Sequence, residues 1–340
     1  MVRRTVFATV AALSLAATAG ALLAGPSGAA HPTYTIAFAS DQASSPRVQA
    51  IARGARAAAK RLRVRFTVVG PSYAGPGDGF VSIFQSLIAR HPDAIATEGF
   101  FPQMKPVLDK ARLAGITLVA SGDDIDAKRS LWIGQSSPVE YAHALADALA
   151  SQMKGRGEYA IAREPGQFPI ANEEQRLIEA YVAKTYPNMH LDAVISGADA
   201  NGYPLFTSVQ KFVTAHPQLK GMIGVVPRCA YSIAEAIIHT HKEGKVFSAD
   251  NGGGSFGDPL PGYVRKGVAQ IVFGGDPVKL GYLTVWATDY LLTGHRFRSG
   301  VYQVGGPIGL VSYYANHQEL RLGQPLTMTN ANVDLYANKF

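Results

Sequence analysis

Short runs of strand-forming residues alternate with longer helical patterns along most of this chain. Residues 34–39 have the composition of a strand, and apolar side chains then recur at helical spacing from Val48 to Leu62. The same alternation continues with strands at 64–69, 94–97 and 116–120 and helices at 80–90 and 103–114. Because a βαβ succession builds a parallel sheet with helices on both faces, this part of the chain predicts a doubly wound α/β unit.

The alternation restarts near Pro138 and predicts a second unit of the same kind. The expected elements are helices at 139–153, 173–186, 205–215 and 230–241 and strands at 159–162, 191–195, 222–226 and 246–249. No flexible linker separates the two units, and the short polar segment 132–138 suits a hinge strand better than a tether. A chain of this length is too long for one comfortable core, so we expect two α/β lobes.

The N-terminus has the pattern of a secretory signal peptide. Two arginines precede an apolar stretch at 6–24, and small residues follow it at 27–30. We expect residues 1–30 to be removed by cleavage after Ala29 or Ala30, and the alternative is an uncleaved membrane anchor. No cysteine ends the apolar stretch, and no later segment has the roughly 20 apolar residues of a membrane helix. The mature chain is therefore expected in the periplasm or outside the cell, without stable membrane insertion.

Charge and cysteine content argue against two further classes of protein. The chain has 32 lysines and arginines against 25 acidic residues, and residues 1–30 hold two of those arginines and no acid. Because no stripe of basic residues interleaved with aromatic ones is visible, this mild excess predicts no nucleic-acid partner. The single cysteine, Cys229, excludes an internal disulfide, so stability must come from packed cores.

Polar and aromatic residues follow the predicted strands and provide candidates for a ligand site. In open parallel sheets, ligands bind at the carboxyl ends of the strands, where helix N-termini also point. The candidates chosen on this basis are Asp41, Gln42, Phe100, Phe101, Asp123, Asp124, Arg163, Pro227, Cys229, Asp250, Asn251 and Asp276. A mixture of carboxylates, amides, arginine and aromatic rings suits a polyhydroxylated ligand, whose hydroxyls need acceptors and donors while its C–H faces stack on rings.

Several of these candidates also have ordinary structural interpretations. Asp123 and Asp124 belong to a residue type that turns and helix N-termini favour. Arg163 can pair with the neighbouring Glu164, and Phe100 and Phe101 can belong to the core of a lobe. Cys229 suits a small buried position.

No catalytic or cofactor motif is convincing. The sequence contains neither a P-loop nor a strand-linked Gly-x-Gly-x-x-Gly, and no cluster has the spacing of a zinc or EF-hand site. Ser151 and Lys154 have the Ser-x-x-Lys spacing of penicillin-interacting enzymes, but they end a predicted helix and lack the companion motifs. His239 and His241 are two residues apart and therefore face different ways on a helix. The sequence predicts a binding protein without cofactor or metal rather than an enzyme.

The order of these elements resembles the sugar-binding branch of type I periplasmic binding proteins. The resemblance is carried by segments 34–38, 115–119, 132–135 and 250–251. Within that branch the chain is most similar to the autoinducer-2-binding and rhamnose-binding receptors of ABC transporters. The narrower similarity rests on Gly70-Pro71, Val226-Pro227-Arg228-Cys229-Ala230, 262–267 and 329–340.

This resemblance also implies roles for individual residues. Autoinducer-2 receptors place a lysine after the first strand, where this chain has Asp41, and an aspartate after the fourth strand, which Asp123 matches with a one-residue shift. They place an Asp-Gln pair at the entry to the first helix of the second lobe, where this chain has Asn172. A helix cap is the alternative role for Asn172.

Three more positions take their implied roles from the same family. A Pro-x-Ala group of the receptors is matched by Pro227, with Cys229 in place of the alanine. Sugar receptors commonly hold ligand hydroxyls with an acid at the end of the strand where this chain has Asp250. The resemblance therefore implies that Asp250 binds the ligand.

By the same resemblance the chain crosses between its lobes three times. The first lobe would comprise 34–135 and 276–305, and the second 136–275 and 306–340. Three hinge strands permit closure by rotation around a ligand that bridges the lobes. The implied function is the capture of a sugar-like molecule by a monomer that delivers it to an ABC transporter permease. The alternative is a receptor that presents a ligand, such as an autoinducer-2-like signal, to a sensor kinase or chemoreceptor.

Overall fold

The chain folds into two lobes, each with one central sheet. The computed structural model describes residues 33–71, 77–97, 104–125, 127–163, 169–197, 203–253 and 259–337. The sheet of lobe 1 consists of β1 (Thr35–Ala39), β2 (Arg65–Val69), β3 (Ala94–Thr97), β4 (Thr117–Ser121), β5 (Leu131–Gly134), β11 (Gly300–Gln303), β12 (Leu310–Tyr314) and β13 (Glu319–Arg321). The sheet of lobe 2 consists of β6 (Gly157–Arg163), β7 (Met189–Ser196), β8 (Leu219–Gly224), β9 (Phe247–Asn251), β10 (Ile271–Gly274) and β14 (Leu326–Met328).

Helices cover both faces of each sheet and bury its apolar side chains. The described helices are α1 (Pro46–Leu62), α2 (Gly77–Ala89), α3 (Lys105–Leu113), α4 (Pro138–Met153), α5 (Pro169–Thr185), α6 (Tyr203–Ala215), α7 (Pro227–His239), α8 (Leu260–Arg265), α9 (Pro277–Leu292) and α10 (Val333–Tyr336). Lobe 1 has one apolar core on each face of its sheet, and the helices of lobe 2 enclose further cores in the same way. None of the described helices combines the length and apolar character needed to cross a bilayer.

The two sheets share one strand order. The first five strands of each lobe run β2-β1-β3-β4-β5 in lobe 1 and β7-β6-β8-β9-β10 in lobe 2, all parallel, and β13 adds a further parallel strand beside β5. The predicted pair of doubly wound lobes is confirmed, with the addition that β11, β12 and β14 join the sheet edges in antiparallel pairs. In this strand order the helical connections that lead to the two sides of β1, and of β6 in lobe 2, lie on opposite faces of the sheet. Their divergence opens a crevice at the carboxyl ends of the strands.

The predicted helices and strands up to residue 249 are present, with shifts at their ends. One shift concerns β8, which ends at Gly224 rather than at 226, so that α7 begins at Pro227 rather than at 230. Proline at the first helical position has a φ suited to the helix and needs no hydrogen-bond partner for its nitrogen. The prediction that Val225 and Val226 belong to the strand, based on their apolar character, was therefore wrong.

Side-chain caps fix where α1 and α4 begin. The hydroxyl of Ser45 accepts a hydrogen bond from the Val48 N–H at 3.2 Å, in front of Pro46 at the first helical position. Ser137 and Glu140 form a reciprocal capping box at the start of α4, with the Ser137 N–H donating to Glu140 Oε2 at 2.7 Å. These caps determine which residues occupy the first turns that border the space between the lobes.

The chain passes between the lobes at three crossings, which we define as residues 135–136, 275–276 and 322–325. Strand pairing locates the third one, because β13 lies parallel to β5 in lobe 1 whereas β14 pairs with β10 in lobe 2. The expected lobe boundary at 305/306 is therefore corrected to about residue 322. Lobe 1 is longer than the resemblance implies because β12 and β13, at 310–321, join its sheet.

Candidate functional site

A cleft of about 420 Å³ lies between the lobes at the carboxyl ends of both sheets. Residues of lobe 1, of lobe 2 and of the first two crossings contribute to its walls. Five residues predicted from the strand ends line this cleft: Gln42, Asp123, Pro227, Asn251 and Asp276. The carboxyl ends of the strands therefore converge on one space, as the topology of parallel sheets requires.

Arg47 and Asp123 form the charged wall of lobe 1. Arg47 occupies the first turn of α1, and Asp123 follows β4 by two residues. Burial raises the pKa of Asp123, and the nearby positive charge of Arg47 acts in the opposite direction. An acid and a guanidinium side by side provide acceptors and forked donors for adjacent hydroxyl groups.

Glu174 and Asn251 face them from lobe 2. The Asn251 amide donates to Glu174 Oε2 at 3.1 Å, and its oxygen accepts the Gly253 N–H at 2.8 Å, which fixes the orientation of the amide. Glu174 is only 3% exposed, and its burial raises its pKa to about 8, with a further upward contribution from Asp123 across the cleft and a downward one from Asn251. At neutral pH this carboxyl is mostly protonated, so it both donates and accepts hydrogen bonds.

Aromatic side chains complete the walls. Trp132, Tyr141 and Tyr231 line the cleft, and the Trp132 ring is held by its indole N–H, which donates to the Gly122 carbonyl at 2.8 Å. The pKa of Tyr141 is raised by burial and by the carboxyls of Glu174 and Asp123, so its hydroxyl stays protonated. Rings of this kind present apolar faces against which the C–H surface of a ligand packs.

The α7 and α9 helix starts also border the cleft. Pro227 and Arg228 open α7, and Asp276 caps α9 by accepting the Lys279 N–H at 3.0 Å. Asp276 therefore has a structural role in addition to its position on the cleft wall. Both helices point their N-termini, with their partial positive charge, toward this space.

Five predicted site residues within the described part of the chain do not line the cleft: Asp41, Asp124, Arg163, Asn172 and Cys229. Asp124 pairs with Arg129, and the Arg163 guanidinium donates to the Asn172 side chain. Cys229 is completely buried among the apolar residues between α6, α7 and the sheet, in agreement with its structural interpretation. Asp41 is half-buried just after β1, where burial raises its pKa. Phe100 and Phe101 lie outside the described residues.

Asp250 is a sixth residue that the structure places elsewhere. It lies inside β9 rather than after it, is 0% exposed, and accepts the Ser248 hydroxyl at 2.6 Å on the face that packs against α7. Because alternate strand residues point to opposite faces, its neighbour Asn251 lines the cleft and Asp250 does not. The expectation of a direct hydroxyl contact from Asp250 is therefore not supported by its position.

Burial raises the pKa of Asp250 to about 7, and this leads to a prediction about stability. Between about pH 4 and pH 7 the folded protein retains a proton that the unfolded chain has released, so the free energy of unfolding falls as pH rises through this window. Asp250→Asn has no proton to lose there. We expect it to remove on the order of 2–4 kcal/mol from the fall in the free energy of unfolding between pH 5 and pH 8. The melting temperature of the variant should therefore drop less over this range than that of the wild type.

Thermal unfolding of wild type and variant at several pH values measures this effect. Glu174 and Asp123, whose pKa values are also raised, act in the same direction, so part of the drop will persist. Asp334→Asn is the matched control, because that side chain is 85% exposed. An equal drop in wild type and Asp250→Asn would contradict the buried position of Asp250.

Several residues that line the cleft were not predicted from the sequence. Arg47 and Tyr141 lie in the first turns of α1 and α4, Glu174 lies in the second turn of α5, and Gln135 lies in the first crossing. The predicted candidates were residues immediately after strands, although helix N-termini meet at the same edge of a sheet. Polar or aromatic residues within the first turn after each predicted helix start would have included Tyr141 and Glu174, since those helices were predicted to begin at 139 and 173.

Two α/β lobes with a polar cleft between them define the architecture of a solute-binding receptor. A family model described as "Periplasmic binding protein domain" matches residues 36–296, and the chain belongs to this family. Members of the family are substrate-binding proteins rather than enzymes. No curated protein sequence matches the chain.

Solved structures share this fold across almost their whole length. A sugar ABC transporter protein from Actinomyces odontolyticus has 23% identity and a TM-score of 0.72, covering 90% of this chain and 99% of its own. A solute-binding protein from Burkholderia graminis, in complex with D-arabinose, has 23% identity and a TM-score of 0.71, covering 90% and 98%. One from Clostridium phytofermentas, with bound L-rhamnose, has 19% identity and a TM-score of 0.73, covering 91% and 99%. At these identities the likeness establishes the fold alone.

Proposed function

We propose that this protein captures a sugar or a sugar-like polyol and delivers it to the permease of an ABC importer. The observation that carries the proposal is the composition of the cleft. Lobe 1 contributes a carboxyl and an arginine to the cleft, and lobe 2 contributes a carboxyl and an amide. Aromatic rings lie beside them. A neutral ligand with several hydroxyls satisfies such a mixed set of donors and acceptors, whereas a phosphate would meet the acidic side chain of Asp123.

The size of the cleft and the bound sugars of other structures support the same substrate class. Its volume lies within the about 300–1,000 Å³ that is typical of small-molecule sites. The proteins from Burkholderia graminis and Clostridium phytofermentas hold D-arabinose and L-rhamnose. We keep pentoses, deoxyhexoses and autoinducer-2 as the leading ligand candidates.

Ligand contacts to both lobes provide the free energy for closure. A molecule that touches Asp123 in lobe 1 and Glu174 in lobe 2 binds the closed arrangement better than an open one, so it shifts the population toward closure. The lobes proposed to rotate are 34–135 with 276–322, and 136–275 with 323–340. The three crossings form the hinge between them.

The proposal includes export of the mature protein. Removal of residues 1–30 would leave a monomer in the periplasm or outside the cell, where it meets solutes before they reach the permease. The pattern of arginines, apolar stretch and small residues at the N-terminus supports this part of the proposal.

A thermal-shift screen of the mature protein tests the function. We expect one class among pentoses, hexoses, deoxyhexoses, polyols and autoinducer-2 to raise the melting temperature, because a ligand at 100 times its Kd adds about 2.7 kcal/mol to stability. Asp123→Asn should weaken the affinity about tenfold to a hundredfold, since it removes charge-assisted hydrogen bonds.

Asp124→Asn is the matched control for this variant. Asp124 is the adjacent aspartate, but it pairs with Arg129 instead of lining the cleft, so its replacement should leave the ligand affinity unchanged. Calorimetric titration of both variants with the sugar found in the screen makes the comparison. Absence of any shift across the panel would refute the proposed substrate class.

A further inference from the structure

The side chain of Gln135 is hydrogen-bonded to the other two crossings of the hinge. Gln135 belongs to the first crossing, directly after β5. Its Oε1 accepts the backbone N–H of Asp276 in the second crossing at 3.1 Å. Its Nε2 donates to the backbone carbonyl of Gln324 in the third crossing at 3.0 Å. One side chain therefore connects all three crossings.

A side-chain amide suits this pair of contacts because its two ends have opposite hydrogen-bonding roles. One end must accept from a backbone N–H, and the other must donate to a backbone carbonyl. A carboxylate only accepts, an ammonium or guanidinium only donates, and an apolar side chain does neither. The chemistry of Gln135 is thus matched to the two backbone groups that face it.

The backbone around Gln135 reinforces the connection to the third crossing. The N–H groups of Leu322 and Gly323 donate to the carbonyls of Gly134 and Gln135 at 3.0 and 2.8 Å, continuing the β5–β13 pairing. Gly323 has a φ of +130°, a conformation that residues with a Cβ rarely adopt. Gly323 therefore holds the third crossing against the first through its backbone hydrogen bond. It also gives the third crossing a backbone conformation that other residues rarely adopt.

The lobe 2 side of the hinge has a separate contact. The Gln324 side chain donates to Glu140 Oε1 at 3.3 Å, and Glu140 belongs to the capping box that starts α4. The contact from Gln135 uses the backbone carbonyl of residue 324, whereas the contact with Glu140 uses its side chain. The two connections can consequently be removed one at a time.

We propose that Gln135 is a positioning residue that keeps the three crossings at a fixed spacing, so that the lobes rotate about one axis when they close. Hinge motion is absorbed by dihedral changes in the crossing residues. Without this side chain the second crossing can change independently of the other two, and the unliganded protein samples a wider range of lobe orientations. This inference rests on the proposed function, because closure around a ligand gives the fixed axis its use.

The test measures lobe orientation without any ligand. Spin labels on Leu113→Cys in lobe 1 and Lys245→Cys in lobe 2, both exposed positions, report the distance between the lobes by double electron–electron resonance. The native Cys229 is 0% exposed and does not compete for the label. We expect Gln135→Leu to widen the distance distribution relative to the parent protein and to weaken sugar affinity about tenfold, as the loss of two hydrogen bonds implies.

Gln324→Ala is the matched control. It loses the side-chain contact with Glu140 but keeps the carbonyl that Gln135 uses, so its distance distribution should stay as narrow as that of the parent protein. Equal widening in both variants would mean general loosening of the hinge and would overturn the inference. If Gln135→Leu does not fold, Gln135→Glu replaces it, because this variant keeps the acceptor for Asp276 and loses only the donor; it should widen the distribution as well.

Failure of this inference can be distinguished from failure of the proposed function. A Gln135→Leu protein with weaker sugar affinity but an unchanged distance distribution would make Gln135 a ligand contact only, and would overturn its positioning role. A widened distribution supports the positioning role even if no sugar in the panel binds, since the measurement contains no sugar.

Discussion

Gly281→Ala is expected to destabilise lobe 1 by at least about 3 kcal/mol, although it adds only one methyl group. Helices α1 and α9 cross at Gly54 and Gly281 with their backbones in contact. A Cβ at Gly281 would lie 1.9 Å from the carbonyl oxygen of Ile51, and one at Gly54 would lie 1.8 Å from that of Val278. Backbone atoms inside a helix cannot rotate away, so the helices must separate and leave voids in the core of lobe 1.

Urea denaturation of Gly281→Ala measures this loss, and Gly79→Ala serves as the control. Gly79 is an exposed residue of α2, and a Cβ added there would point into open space with no neighbouring atom within 4 Å. Alanine at position 79 should therefore be neutral or stabilise the protein by up to about 1 kcal/mol. A Gly281→Ala protein as stable as wild type would contradict the close crossing of α1 and α9.

The same crossing links the core of lobe 1 to the cleft. Arg47 lies in the first turn of α1, and Asp276 is the N-cap of α9. The close approach of the two helices therefore fixes the relative position of one charged cleft residue and of the second crossing. A substitution in the core of lobe 1, at Gly281, should therefore reduce ligand affinity along with stability.

Helix α9 illustrates what sequence periodicity cannot reveal. Prediction of a surface helix depends on an apolar stripe on one side, and α1 has one, with Val48, Ile51 and Ala55 buried and Arg53 exposed. Helix α9 packs against α1 and also against β3, β4 and β5, and nearly every residue from Pro277 to Tyr290 is buried. Its sequence therefore has no polar face, and the pattern that predicts helices elsewhere in the chain is absent.

The site was predictable to the extent that it follows from topology. The ends of parallel strands converge, which is why Gln42 and Asp123, 81 positions apart in the sequence, line one cleft. The distinction between Asp250 and Asn251 was not predictable in this way, because a one-residue difference in strand register exchanges the buried and the exposed face. The contacts of Gln135 depend on how three separate segments meet, and no local pattern encodes this.

Arg47→Ala is expected to weaken sugar affinity at least about a hundredfold, the largest effect we predict for a residue of the cleft. Burial raises the pKa values of Asp123, Asp41 and Tyr141, and the positive charge of Arg47 lowers them. Without this charge the pKa of Asp123 rises further, which favours its protonated, more weakly accepting form. The ligand loses the guanidinium donors and the acceptor beside them in one substitution.

Arg53→Ala is the matched control, since Arg53 is the same residue type on the same helix but is exposed on the face of α1 away from the core. Calorimetric titration of both variants with the sugar found in the screen compares them directly, and Arg53→Ala should bind within about twofold of wild type, as exposed charges contribute little. A large loss in both variants would indicate an effect of overall charge. Unchanged binding in Arg47→Ala would mean that the ligand does not use the Arg47 guanidinium.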